Sequence, residues 1–399
     1  MATNPSRIIV ETMVRQVLRH FQEDPERSCR KLVDMGCAVS TSRFQKGFFH
    51  ALQQMQRNEQ SAYYALARSV VQDVEHERLI RLGMNVGYNS CTAGAKKIRS
   101  IEAAEGFNIP WAMYLDLDTN IFAEHAGQVD SLLSQGEELG VYTWFVRLNA
   151  WSHEIEALLA AHPDCAFVLF MEPGAVDEAV LDEAAPMEHV MFSIGAEEGA
   201  DKLCAALRER RMPYALHKTY QDDDVPDILN DNFFYDTQEL HGLFAVLVPH
   251  PSCSTDAQTA VCEHTRRRRS EQIFATIPWD MVQDVLTIDT IISDDSCSAG
   301  FRADGSFFRL TNGSAPGRWN GFTTPLKDIL RSELKKRNTK APIFVGAFAC
   351  HKSYFFVMYF AMDRMQEKKW GMKVSGGSGF ASMIQRKMAP SSVSRKKSR

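Results

Sequence analysis

Between Phe107 and Glu198 short apolar runs alternate with amphipathic stretches, and the alternation continues to about residue 271. Trp111 to Leu117 is the first run. Pro110 precedes it and the turn chemistry of Asp116-Leu-Asp-Thr-Asn120 follows, which predicts a buried strand. In His125 to Gly140, Val129, Leu132, Leu133 and Leu139 fall near one helical face, with Gly140 as the stop. The pair recurs six times. Strands are predicted at 111–117, 141–148, 166–171, 189–194, 214–220 and 243–248, and helices at 125–139, 152–162, 175–185, 199–211, 225–241 and 255–271. Spacings of roughly 25–30 residues suit right-handed crossovers between parallel strands, and six units predict an incomplete barrel. Functional side chains are then expected at the carboxyl ends of the strands.

Before this region the pattern is helical, beginning with the apolar face Ile9, Val10, Met13, Val14, Val17, Leu18 and Phe21. A cluster of Gly, Asn and Ser from Gly83 to Ala93 predicts a break before the last helix and the first strand. After the barrel, Ala299 to Leu310 reads as a hairpin turning at Asp304-Gly305, followed by a helix from Thr324 to Arg337. The fold class is therefore α/β: a partial (β/α)6 TIM-like barrel, an all-α N-terminal lobe and a small α+β C-terminal region. The expected boundaries are 1–106 for the helical lobe, 107–290 for the barrel, 291–372 for the C-terminal region and 373–399 for a disordered basic tail.

Composition narrows the classes. Of 399 residues 45% are hydrophobic and 24% charged, enough for a sizeable core, and a net charge of −5 gives no general attraction to nucleic acid. Nine cysteines without paired spacing read as reduced thiols, and the first residues lack the apolar core of a signal peptide, so a cytoplasmic location is expected. Ile343 to Met365 is rich in aromatic residues, but His351 and Lys352 interrupt it, so a packed strand pair or helix is expected and not a membrane span. Phe355, Phe356 and Tyr359 within it are candidates for a partner contact, the other reading being that they close the barrel. Arg266 to Arg269 reads as a solvated basic face, and neither Gly313–Gly317 nor Gly376–Gly379 has the residues of a phosphate loop.

From about Arg19 to Lys340 the chain resembles radical S-adenosylmethionine (SAM) proteins with a helical N-terminal extension and a SPASM-like C-terminal region. The resemblance is carried by Phe107-Asn-Ile-Pro-Trp-Ala-Met, Gln135-Gly-Glu-Glu-Leu-Gly-Val-Tyr, His162-Pro-Asp-Cys-Ala-Phe, Val176-Asp-Glu-Ala and Met212-Pro-Tyr. It implies a barrel of the radical SAM type holding a [4Fe-4S] cluster and SAM at its mouth. Such a cluster needs three closely spaced thiolates after the first strand, and here Asp118-Thr-Asn-Ile-Phe-Ala-Glu-His125 runs on without a cysteine. The SAM-contacting turns that the resemblance implies also differ: Arg147-Leu-Asn-Ala-Trp151 ends the second strand, Met171-Glu-Pro-Gly174 the third, and Phe192-Ser-Ile-Gly195 the fourth, with Gly195 where a Glu is usual.

The rim that would have held the cluster and SAM is thus Asp116, Asp118, Asn120, His125, Asn149, Trp151, Glu172, Ser193, Gly195, His217 and His250. No catalytic residue and no metal set is assigned, and neither cluster nor SAM is expected. Asp116, Asp118, Glu172, His217 and His250 could bind a divalent ion, though not in any known metal spacing. Cys297, Cys350 and His351 leave a zinc site open. His217 reads as a hydrogen-bonded core histidine. The favoured function is a non-catalytic relative, a pseudoenzyme keeping the barrel as a protein- or peptide-binding scaffold and partnering an active radical SAM paralogue, with no nucleic-acid partner. Cluster-independent chemistry on a small molecule at the barrel mouth, and radical SAM chemistry with atypical ligation, are the alternatives.

Overall fold

Seven short β-strands alternate with helices along the barrel region of the computed structural model, which describes residues 5–21, 24–39, 49–50, 52–310 and 318–336. The strands are β1 (Ala112–Leu117), β2 (Thr143–Leu148), β3 (Ala166–Met171), β4 (Val190–Gly195), β5 (Tyr214–Tyr220), β6 (Phe244–Pro249) and β7 (Ile277–Asp280). All neighbours among them pair in parallel, in sequence order. Two further strands, β8 (Ala299–Phe301) and β9 (Phe307–Arg309), extend the other side: β8 pairs in parallel with β1, and β9 with β8 in antiparallel. The predicted hairpin is present and turns through Gly305 at φ +80°, a conformation for which glycine is suited. The sheet order β7-β6-β5-β4-β3-β2-β1-β8-β9 does not close, as a partial barrel requires.

The N-terminal segment is helical as expected, with α1 (Pro5–Phe21), α2 (Pro25–Val39), α3 (Tyr63–Asp73), α4 (His76–Gly83) and α5 (Ala95–Glu105). The break expected at Gly83–Ala93 is absent. Met84–Gly94 instead forms an 11-residue π-helix, nearly all of it buried. Its polar side chains are satisfied by the barrel: Asn85 Nδ2 donates to Pro163 O at 2.9 Å and Cys165 O at 2.6 Å, Asn89 Nδ2 to Asp164 O at 2.8 Å, and Ser90 Oγ to Trp111 O at 3.3 Å. Residues that favour a turn when solvated are here held in a helix by tertiary partners. Asn85→Ala should cost about 1–3 kcal/mol by stripping the buried Cys165 carbonyl, and with it that of Pro163, of its donor. The expected readout is a lower urea midpoint at unchanged slope.

The barrel helices are α6 (Thr119–Leu139), α7 (His153–Ala161), α8 (Glu178–Ala184), α9 (Ala200–Glu209), α10 (Val225–Leu229), α11 (Asn232–Glu239), α12 (Thr255–Glu271) and α13 (Met281–Ser293), and α14 (Leu326–Glu333) follows the hairpin. The helix expected over 225–241 is split, because Asp231 takes a left-handed conformation (φ +69°) and accepts from His264 Nε2 at 2.7 Å and Arg268 Nη2 at 2.6 Å on α12. A further strand, β7, was not among the six expected. Helix α13 then links β7 to the entrance of β1: Tyr114 donates to Met281 O at 2.9 Å, and Trp111 Nε1 to Val285 O at 3.3 Å. The Arg266–Arg269 run is not a solvated face, since Arg269 is 1% exposed, Arg266 and Arg268 are half-buried and Arg267 alone of the four is exposed.

Phe355, Phe356 and Tyr359, the aromatic stretch around them, Cys350 with His351, both Gly-rich segments and the basic tail lie outside the described residues. Among the described residues no helix is long and apolar enough to cross a membrane.

Candidate functional site at the barrel mouth

Parallel strands put all their carboxyl ends on one side, and alternation then selects the side chains that share a face. The register aligns Tyr114 with Phe145 and Val168, and Asp116 with Arg147, Phe170 and Ser193. One step nearer the mouth, Gly195 is paired with His217, and Glu172 follows Met171, the partner of Ile194, so it falls beside Gly195. Tyr114, Phe145, Phe170 and His217 form a chain of ring contacts across this face, with centroids 5.3, 6.4 and 5.2 Å apart. Polar side chains occupy the rim above it.

These rim groups are paired with one another. Asp116 receives both Nε and Nη2 of Arg147, at 3.1 and 2.9 Å, in a two-pronged bond. Asp118 caps α6 by accepting from Asn120 N at 3.0 Å, and receives Asn149 Nδ2 at 3.0 Å. Asn149 Oδ1 accepts from Thr119 N at 3.0 Å, so the first turn of α6 is tied to the end of β2. The helix therefore starts at Thr119, where the resemblance places a cluster-binding loop.

Strands β3, β4 and β5 contribute a buried polar group, His217 with Ser193. His217 is 5% exposed and its two ring nitrogens face oxygens: Nδ1 lies 3.1 Å from Ser193 O and 3.3 Å from Ser193 Oγ, and Nε2 lies 3.4 Å from Glu172 Oε1. The expectation of a hydrogen-bonded core histidine describes one side of this ring. The other side holds a carboxylate. Hydrogen bonding from His217 holds the Glu172 carboxyl below its ordinary range. Glycine at 195 makes this possible, because a Cβ there would lie 1.8 Å from Glu172 Oε2. Neighbouring strands are about 4.8 Å apart, so Glu172 crosses the bare backbone of Gly195 to reach a ring two strands away. Where the resemblance implies a Glu at position 195, the carboxylate present comes from the residue that follows β3.

Glu172 also lines an open cleft of about 700 Å³ between the β2–α7 and β3–α8 loops, with Asn149, Trp151, His153, Asp177 and Glu183. Trp151 Nε1 donates to Glu183 Oε2 at 2.8 Å, and the Asp177 carboxylate caps α8 through Val180 N at 3.0 Å. The remaining two expected rim residues have separate partners. His125 sits at a kink in α6 (φ −125°, ψ 15°), stacked 4.7 Å from Phe322, with Nδ1 buried and unpartnered. His250 Nδ1 lies 2.7 Å from Ser252 Oγ. Arg147 was missing from the expected set; an arginine one strand from an aspartate at the same rung was the available signal.

A [4Fe-4S] cluster does not fit these residues. Among the described cysteines only Cys253 belongs to a loop at the mouth, and burial pushes its thiol up to about 11. Cys297 is 1% exposed, with its thiol raised far above the ordinary range by desolvation. No group of three or more His, Cys, Asp or Glu among the described residues could hold a metal ion.

No protein-family model matches the chain, and no curated protein matches it. Solved structures with a similar arrangement include SuiB of Streptococcus suis bound to the precursor peptide SuiA, at TM-score 0.43 and 9% identity over 64% of this chain and 73% of that one. Another is anSMEcpe with bound AdoMet, at 0.39 and 8% over 60% and 88%. A third is the radical S-adenosylmethionine methyltransferase TsrM from Kitasatospora setae, at 0.22 and 12% over 30% of each chain.

Proposed function

We propose that this chain is a cluster-free relative of radical SAM proteins that uses the barrel mouth to hold a peptide segment of a partner. The observation that carries the reading is the self-paired rim. Asp116 with Arg147, Asp118 with Asn149, and Glu172 with His217 fill the positions that cluster and SAM would need with a fixed polar surface. The open cleft beside it has the volume of a site for a few side chains. Active radical SAM paralogues are the proposed source of the partner, as the notion of a retained scaffold implies.

The second reading, cluster-independent chemistry on a small molecule, is favoured by one feature, the imidazole–carboxylate contact of His217 and Glu172. Two measurements separate these readings from radical chemistry. After anaerobic reconstitution with iron and sulfide the protein should hold far fewer than the roughly four irons of one cluster per chain. Under reduction with SAM it should form no 5′-deoxyadenosine above a blank. A stoichiometric chromophore together with SAM cleavage would overturn the proposal, and turnover of a small molecule abolished by Glu172→Gln would favour the second reading.

A further inference from the structure

The cleft beside Glu172 has a chemistry of its own, and a role for it rests on the peptide-binding reading. None of the residues lining it is Lys or Arg, while Glu172, Asp177 and Glu183 bring carboxylates and Trp151 an indole. Charge alone would not define a site. Glu172 is set apart by how it is held: one carboxylate oxygen lies against the His217 ring, and the other occupies the place of the absent Cβ of Gly195. The ring is itself fixed by Ser193 and by an edge contact with Phe170. An anion oriented from beneath by a buried ring, and half exposed above, costs little further ordering when a ligand arrives.

We propose that this cleft is a subsite for a cationic side chain, amine or guanidinium, of the bound peptide, with Glu172 as its fixed counter-charge. Trp151 lines the same cleft, and an indole adds attraction for a cation. Gly195 acts as a positioning residue. An alanine there would evict the carboxylate from His217, and the displaced atoms are the far end of a flexible side chain, so the backbone is not required to move.

The test uses the full chain and a short fluorescent peptide of alternating lysine and glycine, with its glutamate counterpart as control, followed by anisotropy at low salt. The lysine peptide should bind, weaken as salt is added, and lose about tenfold in affinity in both Glu172→Gln and Gly195→Ala. Asp182→Asn removes the same charge from α8 at a residue outside the cleft, and should stay within about twofold of the native affinity. Melting curves establish that each variant is folded, and Glu172→Gln keeps the shape of the native side chain should Gly195→Ala fail to fold. Equal losses in Glu172→Gln and Asp182→Asn, or no preference for lysine over glutamate, would overturn the subsite. If a neutral or acidic peptide binds while the lysine peptide does not, the subsite falls and the scaffold reading stands. If no peptide binds, both fall.

Discussion

Replacing Arg269 with Met should destabilise the protein by about 3–5 kcal/mol, the range seen when one member of a buried ion pair is removed. Arg269 and Asp284 have side chains 1% and 0% exposed, joined by bonds of 2.6 and 3.1 Å. Arg269 Nη1 also donates to Pro278 O at 2.9 Å, and Asp280 N to Asp284 Oδ2 at 2.9 Å, so one cation and one anion fasten α12, β7 and α13. Removing the cation leaves a buried carboxylate without the charge of Arg269 beside it. The double variant Arg269→Met, Asp284→Leu should regain much of the loss, since an apolar pair of similar volume can replace a buried ion pair. Urea unfolding of the two variants measures both effects, and a single variant as stable as the native chain would contradict the account.

Acidification from pH 8 to pH 5 should stabilise the fold through two other carboxyls. Asp280 is pushed up to about 7 by burial and by the charge of Asp284, and Asp289 to about 7 by burial. Their values in the unfolded chain are near the ordinary 3.8. Between 3.8 and about 7 the folded form therefore binds more protons than the unfolded one, so stability falls as pH rises through this window and has been lost above it. Asp289 accepts from Trp111 N at 3.2 Å and from Ser298 Oγ. Asparagine keeps an acceptor there without the charge. Asp289→Asn should remove roughly 2–4 kcal/mol of the pH 5 to pH 8 difference, read as urea midpoints across that range. A profile as steep as that of the native chain would rule Asp289 out as its source.

The parts of this fold that were legible in the sequence are those where local preference and packing agree. Strands 166–171 and 214–220 and helix 255–271 have the bounds expected from apolar runs and caps. Strand β7 was not legible because Ile277-Pro-Trp-Asp280 is four residues long and contains a proline, which argues against a central strand. It lies at the edge of the sheet, where a missing N–H is tolerated. The π-helix was hidden for the opposite reason. Its Asn and Ser residues favour turns locally, and only the carbonyls of 163–165 and Trp111, distant in sequence, make a helix of them. The rim was legible as a set of positions at strand ends, but not as pairs. That Glu172 reaches His217 depends on Gly195 standing between them, and register of this kind is not written in a single strand's pattern.

The pairing of β8 with β1 has a consequence for how the protein is made. During synthesis β1 emerges early and acquires β2 on one side as soon as residues 143–148 follow, but its other edge waits for residues 299–301. While β2 to β7 are being made the nascent barrel thus carries an open, apolar parallel edge at its first strand, of the kind that recruits strands from other chains. The hairpin's arrival seals it. A ribosome stalled before residue 299 would present a chain that has nearly its whole barrel and is still a target for chaperones, and one stalled well past residue 309 would not.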